Sequence, residues 1–280
     1  MNFTLNCRGR LLSITQPVVM GIINATPDSF YAGSRHQAID DAVRTAEQML
    51  RDGATFLDIG GQSTRPGSAQ LTEEEESKRI VPIVAAIQKH FPESFLSIDT
   101  YHSVVARAAV DAGASIINDI SGGKFDKEML STAASLRIPY ICMHVEGTPD
   151  SMHAVPAYND IVPELIDYFI QRIEQCRLAG INDIIIDPGF GFSKTREQNF
   201  TLLRKLNAFQ ILQKPILLGV SRKSTIYKTL GITPEEALNG STVLHTFGLL
   251  RGAAILRVHD VKEAMEAIKL VECLGKGCEN

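Results

Sequence analysis

The residues of this chain best suited to chemistry are polar side chains standing where short apolar runs stop. They are Asn24, the loop 60–67, Asp99, Asn118, His144, Asp187, Ser221 to Ser224, and Arg257 with His259. Any one of them alone reads more often as a helix cap or a turn residue. Together they divide into two chemical groups. Asp99, Asn118 and Asp187 offer carboxylates and an amide side by side, a set able to read a ring that carries both N–H donors and a carbonyl. Arg65, Lys223, Arg257 and His259, with the glycine-rich turns after the first two runs, offer cations and backbone N–H groups to an anion. The plainer alternatives are a helix start at Asp187, before Pro188-Gly189, and a solvated basic rim for the second group.

Positioning such a set requires many short strands ending at one place. Eight β-rich runs fit that need: Val18–Ile23, Phe56–Ile59, Phe95–Ile98, Ser115–Ile117, Tyr140–Met143, Asp183–Ile186, Ile216–Val220 and Ala254–Arg257. Each is almost continuously apolar, as in strands buried on both faces of a parallel sheet. Between them the apolar residues recur with a helical period. Ile39, Ala42, Val43, Ala46, Met49 and Leu50 share one face, and Ile161, Leu165, Phe169, Ile173 and Cys176 another. Asp52-Gly53-Ala54, Ala112-Gly113-Ala114, Ala179-Gly180-Ile181 and Arg251-Gly252-Ala253 each follow a helix and precede a strand, where glycine takes the left-handed helix-end conformation.

Alternating β and α units of this number predict a (β/α)₈ barrel with its site at the C-terminal ends of the strands. An open doubly wound sheet ranks second, since no GxGxxG stands at the first strand-to-helix turn. The leading segment 1–16, with Arg8-Gly9-Arg10 as its turn, predicts a hairpin that plugs the bottom of the barrel. At 280 residues the whole chain is expected to be one domain.

Composition narrows the function. The 28 Lys and Arg against 32 Asp and Glu leave a formal charge of −4, which gives no support to a nucleic-acid or membrane surface. No run approaches the roughly 20 apolar residues of a bilayer span, so a cytoplasmic location is expected. The five cysteines lack any C-x-x-C pair, and neither HExxH nor another close His pair occurs among the seven histidines. A disulfide framework and a protein-built metal cage are both disfavoured.

The motifs MGIINATPDSF (20–30), DIGGQSTRPG (58–67), SIDT (97–100), INDISGG (117–123), DPGFGF (187–192), GVSRKS (219–224) and RVHD (257–260) together resemble the dihydropteroate synthase family, in order and over nearly the whole chain. The resemblance implies displacement of diphosphate from a (7,8-dihydropterin-6-yl)methyl diphosphate by 4-aminobenzoate. It also implies a pterin site at Asp99, Asn118, Met143, Asp187 and Lys223, and a diphosphate site at Thr64, Arg65, Arg257 and His259. Phe30, Pro66, Phe192 and Ser224 would meet the 4-aminobenzoate, and Asn24 would help hold a magnesium ion. Lys223, Arg257 and Arg65 would carry catalysis, Arg257 and Arg65 by stabilising charge on the departing diphosphate and Lys223 by contacting the ring-carbonyl side of the pterin. A homodimer is implied as well.

Three positions depart from the family pattern: Ala32 stands where a loop aspartate is usual, Gln62 where Glu precedes STRP, and Thr225 where a larger apolar residue follows SRKS. Two rivals share the pterin reader, a corrinoid-linked methyltransferase acting on a methyl pterin and a pterin-binding paralogue without turnover. STRPG and SRKS weigh against the first, and Ala32 is what favours the second.

Overall fold

A computed structural model of the chain describes residues 2–25, 35–62, 70–152 and 158–276. The chain opens with an antiparallel hairpin of β1 (Phe3–Cys7) and β2 (Arg10–Ile14), turned at Arg8 and Gly9 with φ of 56° and 84°. There follow β3 (Val18–Asn24), α1 (Arg35–Arg51), β4 (Phe56–Gly60), α2 (Glu73–His90), β5 (Phe95–Asp99), α3 (Ser103–Ala112), β6 (Ile116–Asp119), α4 (Met129–Leu136) and β7 (Tyr140–Met143). The chain continues through α5 (Ile161–Ala179), β8 (Ile184–Asp187), α6 (Arg196–Arg204), β9 (Leu217–Leu218), α7 (Ser224–Leu230), α8 (Leu238–Leu250), β10 (Ile255–Val258) and α9 (Val261–Lys276).

Strands β3 to β10 form one parallel sheet in the order β8-β7-β6-β5-β4-β3-β10-β9. A parallel bridge between Ile186 and Ile216 joins its two ends, beside an N–H of Ile186 donating to the Pro215 carbonyl at 3.0 Å. The architecture is therefore the expected (β/α)₈ barrel with an N-terminal hairpin.

Alternation along each strand creates two apolar layers. Outward residues such as Val19, Leu57, Ile98, Ile117, Ile186 and Leu256 meet the helices, including the expected faces of α1 and α5. Inward residues Met20, Phe56, Ile116, Ile141, Ile185, Leu217 and Ile255 fill the barrel and pack against Leu5, Cys7 and Ile14 of the hairpin. Removing each such side chain from water contributes about 1.5–3 kcal/mol. The hairpin is pinned in place by polar contacts as well: the Asn6 N–H donates to Asp183 at 2.7 Å, Arg8 to the Val110 carbonyl at 3.0 Å, and Arg10 to the Glu93 carbonyl at 2.6 Å.

The sequence places several strand ends one or two residues too early, because Asn24, Asp99, Asn118 and Asp187 are themselves strand residues rather than residues following strands. β9 is shorter than expected, two residues instead of five, since Gly219 onward already turns toward α7.

Candidate active site

In a strand, every second residue points to the same face. Two residues beyond the apolar floor of the barrel, the inward positions are Asp58 after Phe56, Asn118 after Ile116, Met143 after Ile141, Asp187 after Ile185 and Arg257 after Ile255. Strand pairing sets Asp99 opposite both Gly60 and Asn118, and Met143 opposite Asp187. A polar layer thus lies directly on an apolar one, at the C-terminal end of the barrel.

Arg257 is the centre of one network in this layer. Its Nε donates to Asp58 Oδ2 at 2.6 Å and its Nη2 to Asp99 Oδ2 at 2.5 Å, while Asn118 Nδ2 donates to the same Asp58 oxygen at 3.0 Å. Burial opposes the guanidinium charge, but Asp58 and Asp99 more than offset it and raise the Arg257 pKa. For Asp99, burial raises the pKa, Arg257 opposes, and Asp58 and Asp119 raise it further, for a net upward shift. Asp58 is fully buried, and its Oδ1 has no protein hydrogen-bond partner among the described residues.

Asp187 and Lys223 make the second group. Asp187 Oδ1 accepts from the Gly189 N–H at 2.8 Å, and the residue ends β8 rather than starting a helix, the next helix beginning at Arg196. Its Oδ2 and the Lys223 Nζ both border Gly219, where an added Cβ would lie 3.8 Å from each. Burial raises the Asp187 pKa, with Lys223 opposing. Lys223 Nζ donates to the Phe190 carbonyl at 2.6 Å and sits 4.7 Å from the centre of the Phe192 ring. Burial lowers the Lys223 pKa to about 8, with Asp187 working the other way. Phe192 and Met143 pack in one small apolar cluster with Tyr101, Ile120, Val145 and Met152.

Lys223 reaches the pocket because Arg222 is held facing away from it. Arg222 adopts a left-handed φ of 53° and donates twice to Asp260 at 2.8 Å, and its own N–H is taken by Ser241 Oγ at 2.9 Å. The rim beside it carries His259, whose N–H donates to Ser221 Oγ at 3.2 Å, with the same hydroxyl 3.1 Å from its Nδ1. Desolvation first, then Arg257, lowers the pKa of His259. Ser224 opens α7 half-buried, and Thr225 behind it is buried. Asn24, at the exposed end of β3, pairs with Gly60.

The structure corrects three features of the sequence reading. The two chemical groups are not separate, since Arg257 of the anion-binding set is bonded to Asp99 of the ring-reading set. His144 does not reach the mouth: it is 2% exposed, and its Nδ1 lies 3.1 Å from Lys194 Nζ. Asp58 was missed, although a charged residue inside the run Phe56–Ile59, in step with Phe56, was the available signal. Gln62 accepts from the Leu71 N–H at 2.7 Å. Phe30, Ala32, Thr64, Arg65 and Pro66 lie outside the described residues.

The pterin-binding enzyme family model matches residues 20–259. The dihydropteroate synthase of Escherichia coli strain K12 is 42% identical over 278 residues, covering 99% of this chain and 98% of the relative. The chain belongs to the dihydropteroate synthase family of pterin-binding enzymes. Solved structures of dihydropteroate synthases agree with the fold. That of Xanthomonas albilineans with 4-aminobenzoic acid is 38% identical with a TM-score of 0.90, covering 98% of this chain and 99% of its own. That of Yersinia pestis in a sulfonamide drug complex is 40% identical with a TM-score of 0.91, covering 99% and 100%. In dihydropteroate synthase terms, the polar layer occupies the barrel end where the family motifs meet.

Proposed function

We propose that the protein joins (7,8-dihydropterin-6-yl)methyl diphosphate to 4-aminobenzoate, releasing 7,8-dihydropteroate and diphosphate in folate synthesis. The amine nitrogen bonds to the pterin methylene as the C–O bond to diphosphate breaks; diphosphate takes the bonding electrons and the amine gives up a proton. The observation carrying this reading is the polar layer, in which Asp187, Asn118 and Lys223 stand on a buried apolar floor within a chain of this family.

In this assignment Asp187 and Asn118 bind the pyrimidine edge of the pterin, with Asp99 beside it and Met143 against the ring. Lys223 donates to the carbonyl side, and its present acceptor, the Phe190 carbonyl, marks how readily it serves one. Phe192 and Ser224, with Phe30 and Pro66, receive 4-aminobenzoate. Arg257 and His259, with Thr64 and Arg65, bind the diphosphate. Cations aimed at a leaving group stabilise the transition state more than the ground state, and a closed pocket strengthens them. Desolvation first, and then Arg257, disfavours the His259 imidazolium, and an arriving diphosphate would oppose the second of these.

A magnesium ion fits the donor set. Among the described residues no group of three or more His, Cys, Asp or Glu side chains could hold a metal. The exposed Asn24 offers one amide oxygen, and an ion that prefers oxygen ligands and retains water completes its shell with substrate phosphate. Such an ion would neutralise charge on the diphosphate.

The same reading includes a single-domain chain working as a homodimer in the cytoplasm. Phe200 of α6 and Phe247 of α8 are exposed at a groove also lined by Leu203 and Leu244, and α8 exposes Val243 and Leu250 as well, a surface suited to a second copy. Among the described residues no helix is long and apolar enough to cross a membrane, and Cys7, Cys142, Cys176 and Cys273 are free thiols. Mass spectrometry of reaction mixtures tests the activity: dihydropteroate is expected only when both substrates are supplied. Its absence from the complete mixture would refute the assignment, and pterin binding without product would instead favour the paralogue without turnover.

A further inference from the structure

Lys194 is 8% exposed and makes no ion pair with a carboxylate among the described residues. Its Nζ is surrounded by neutral acceptors: the Gly189 carbonyl at 3.0 Å, the Phe192 carbonyl at 3.1 Å, His144 Nδ1 at 3.1 Å and the His144 carbonyl at 3.4 Å. A buried amine is costly unless its hydrogen bonds are satisfied, and here they are satisfied by one loop and the strand end beneath it.

That loop, residues 188–193, is not one that would hold itself. Gly189, Gly191 and Ser193 all have positive φ, of 73°, 82° and 44°, and the strained Ser193 persists only if its surroundings fix it. Ser193 N–H donates to the Met152 carbonyl at 2.9 Å, and its Oγ accepts from the Glu146 N–H at 3.0 Å. On the other side Asn199, 2% exposed, accepts from the Gly191 N–H at 2.7 Å and donates to the Thr195 carbonyl at 2.7 Å. The loop carries the Phe190 carbonyl that receives Lys223 and the Phe192 ring over which Lys223 lies.

We infer that Lys194 and Asn199 are positioning residues for the amine substrate, clamping the loop 188–193 from its two sides so that Phe192 and the Phe190 carbonyl are preset against Lys223. The inference rests on the assignment of Phe192 to 4-aminobenzoate. Two features accompany the clamp. Glu146 lies 3.4 Å from His144 Nε2 and 3.2 Å from Lys124 Nζ, which holds the imidazole so that Nδ1 faces Lys194. Burial lowers the Lys194 pKa to about 7; Asp187 and Glu146 oppose this, and Lys223 and Lys124 add to it.

Steady-state kinetics of Lys194→Met and Asn199→Ala, with wild-type turnover established first, test the clamp. A misplacement near 1 Å can cost up to about 100-fold, so KM for 4-aminobenzoate is expected to rise about tenfold in Lys194→Met and several-fold in Asn199→Ala. KM for the pterin diphosphate should rise less, by about twofold, since only Asp187 and Lys223 of the pterin grip touch the loop, while Asp99, Asn118 and Met143 lie on other strands. A merely structural role would lower the active fraction and leave both KM values alone. That result, or equal rises for both substrates, overturns the inference. Should Lys194→Met not fold, Asn199→Ala alone decides, because it removes a neutral side chain and no buried charge. Inactivity of the wild type would instead condemn the functional reading itself.

Discussion

Lys223 holds its charge under terms set by the pocket around it. Its pKa is lowered to about 8 by burial, so the ammonium is present below that pH and is lost as pH rises through it. If the ammonium grips the pterin carbonyl, kcat/KM for the pterin diphosphate falls on the alkaline side with a midpoint near 8, and Lys223→Arg abolishes that limb, because a guanidinium stays charged. Lys223→Ala is expected to lower kcat/KM by about 100- to 1000-fold with unchanged circular dichroism. Asp58 works differently, through Arg257. Asp58→Asn removes a charge-assisted partner from the guanidinium, so denaturant titration should register a loss of about 1.5–3 kcal/mol, accompanied by weaker pterin diphosphate binding. An unchanged midpoint and affinity would mean that Asp99 alone suffices to hold Arg257. Both Asp58 and Lys194 escaped the sequence reading for physical reasons. Asp58 lies inside an apolar run rather than at its end, and only strand register shows it meeting Arg257, 199 residues away. Lys194, just ahead of a helix, reads as a solvated lysine, and its burial depends on a loop conformation that sequence period does not encode.

At the scale of elements, legibility follows burial. Strands covered on both faces leave continuous apolar runs, and helices packed on one face leave a period, so both were visible. The four helix-end glycines also behaved as their setting demands: Gly53, Gly113, Gly180 and Gly252 have φ of 102°, 130°, 98° and 93°. β9 was overestimated because Gly219 and Val220 continue its apolar run while the backbone already turns. The hairpin β1–β2 closes the end of the barrel opposite the site, and this separates its stability role from the chemistry. Ile14 is fully buried against the barrel floor, so Ile14→Ala should cost about 2–5 kcal/mol of unfolding free energy while turnover per folded molecule is unchanged. A fall in kcat of the folded variant would show that the plug also shapes the mouth. The clamp on the loop 188–193 is the opposite case, an element end whose rigidity is spent on the site.

The whole molecule combines a rigid barrel with an apolar outer surface on α6 and α8. Phe247 is 36% exposed there, and Leu250 61%. Phe247→Glu should convert a dimer to monomers in sedimentation equilibrium without unfolding the barrel, since the charge meets water in the monomer and a buried face in the dimer; a monomeric wild type would contradict the proposal. What the sequence could not supply at this scale is how the two chemical groups unite, because that depends on closure of the sheet bringing β10 beside β3 and across from β5. The central claim is that this united polar layer condenses two substrates instead of hydrolysing one. Its most direct measurement is diphosphate release followed against 4-aminobenzoate concentration, with the pterin diphosphate and magnesium saturating. Release that saturates with the amine, matched one for one by dihydropteroate, is the predicted result. Release independent of the amine, or none at any amine concentration, would contradict the account.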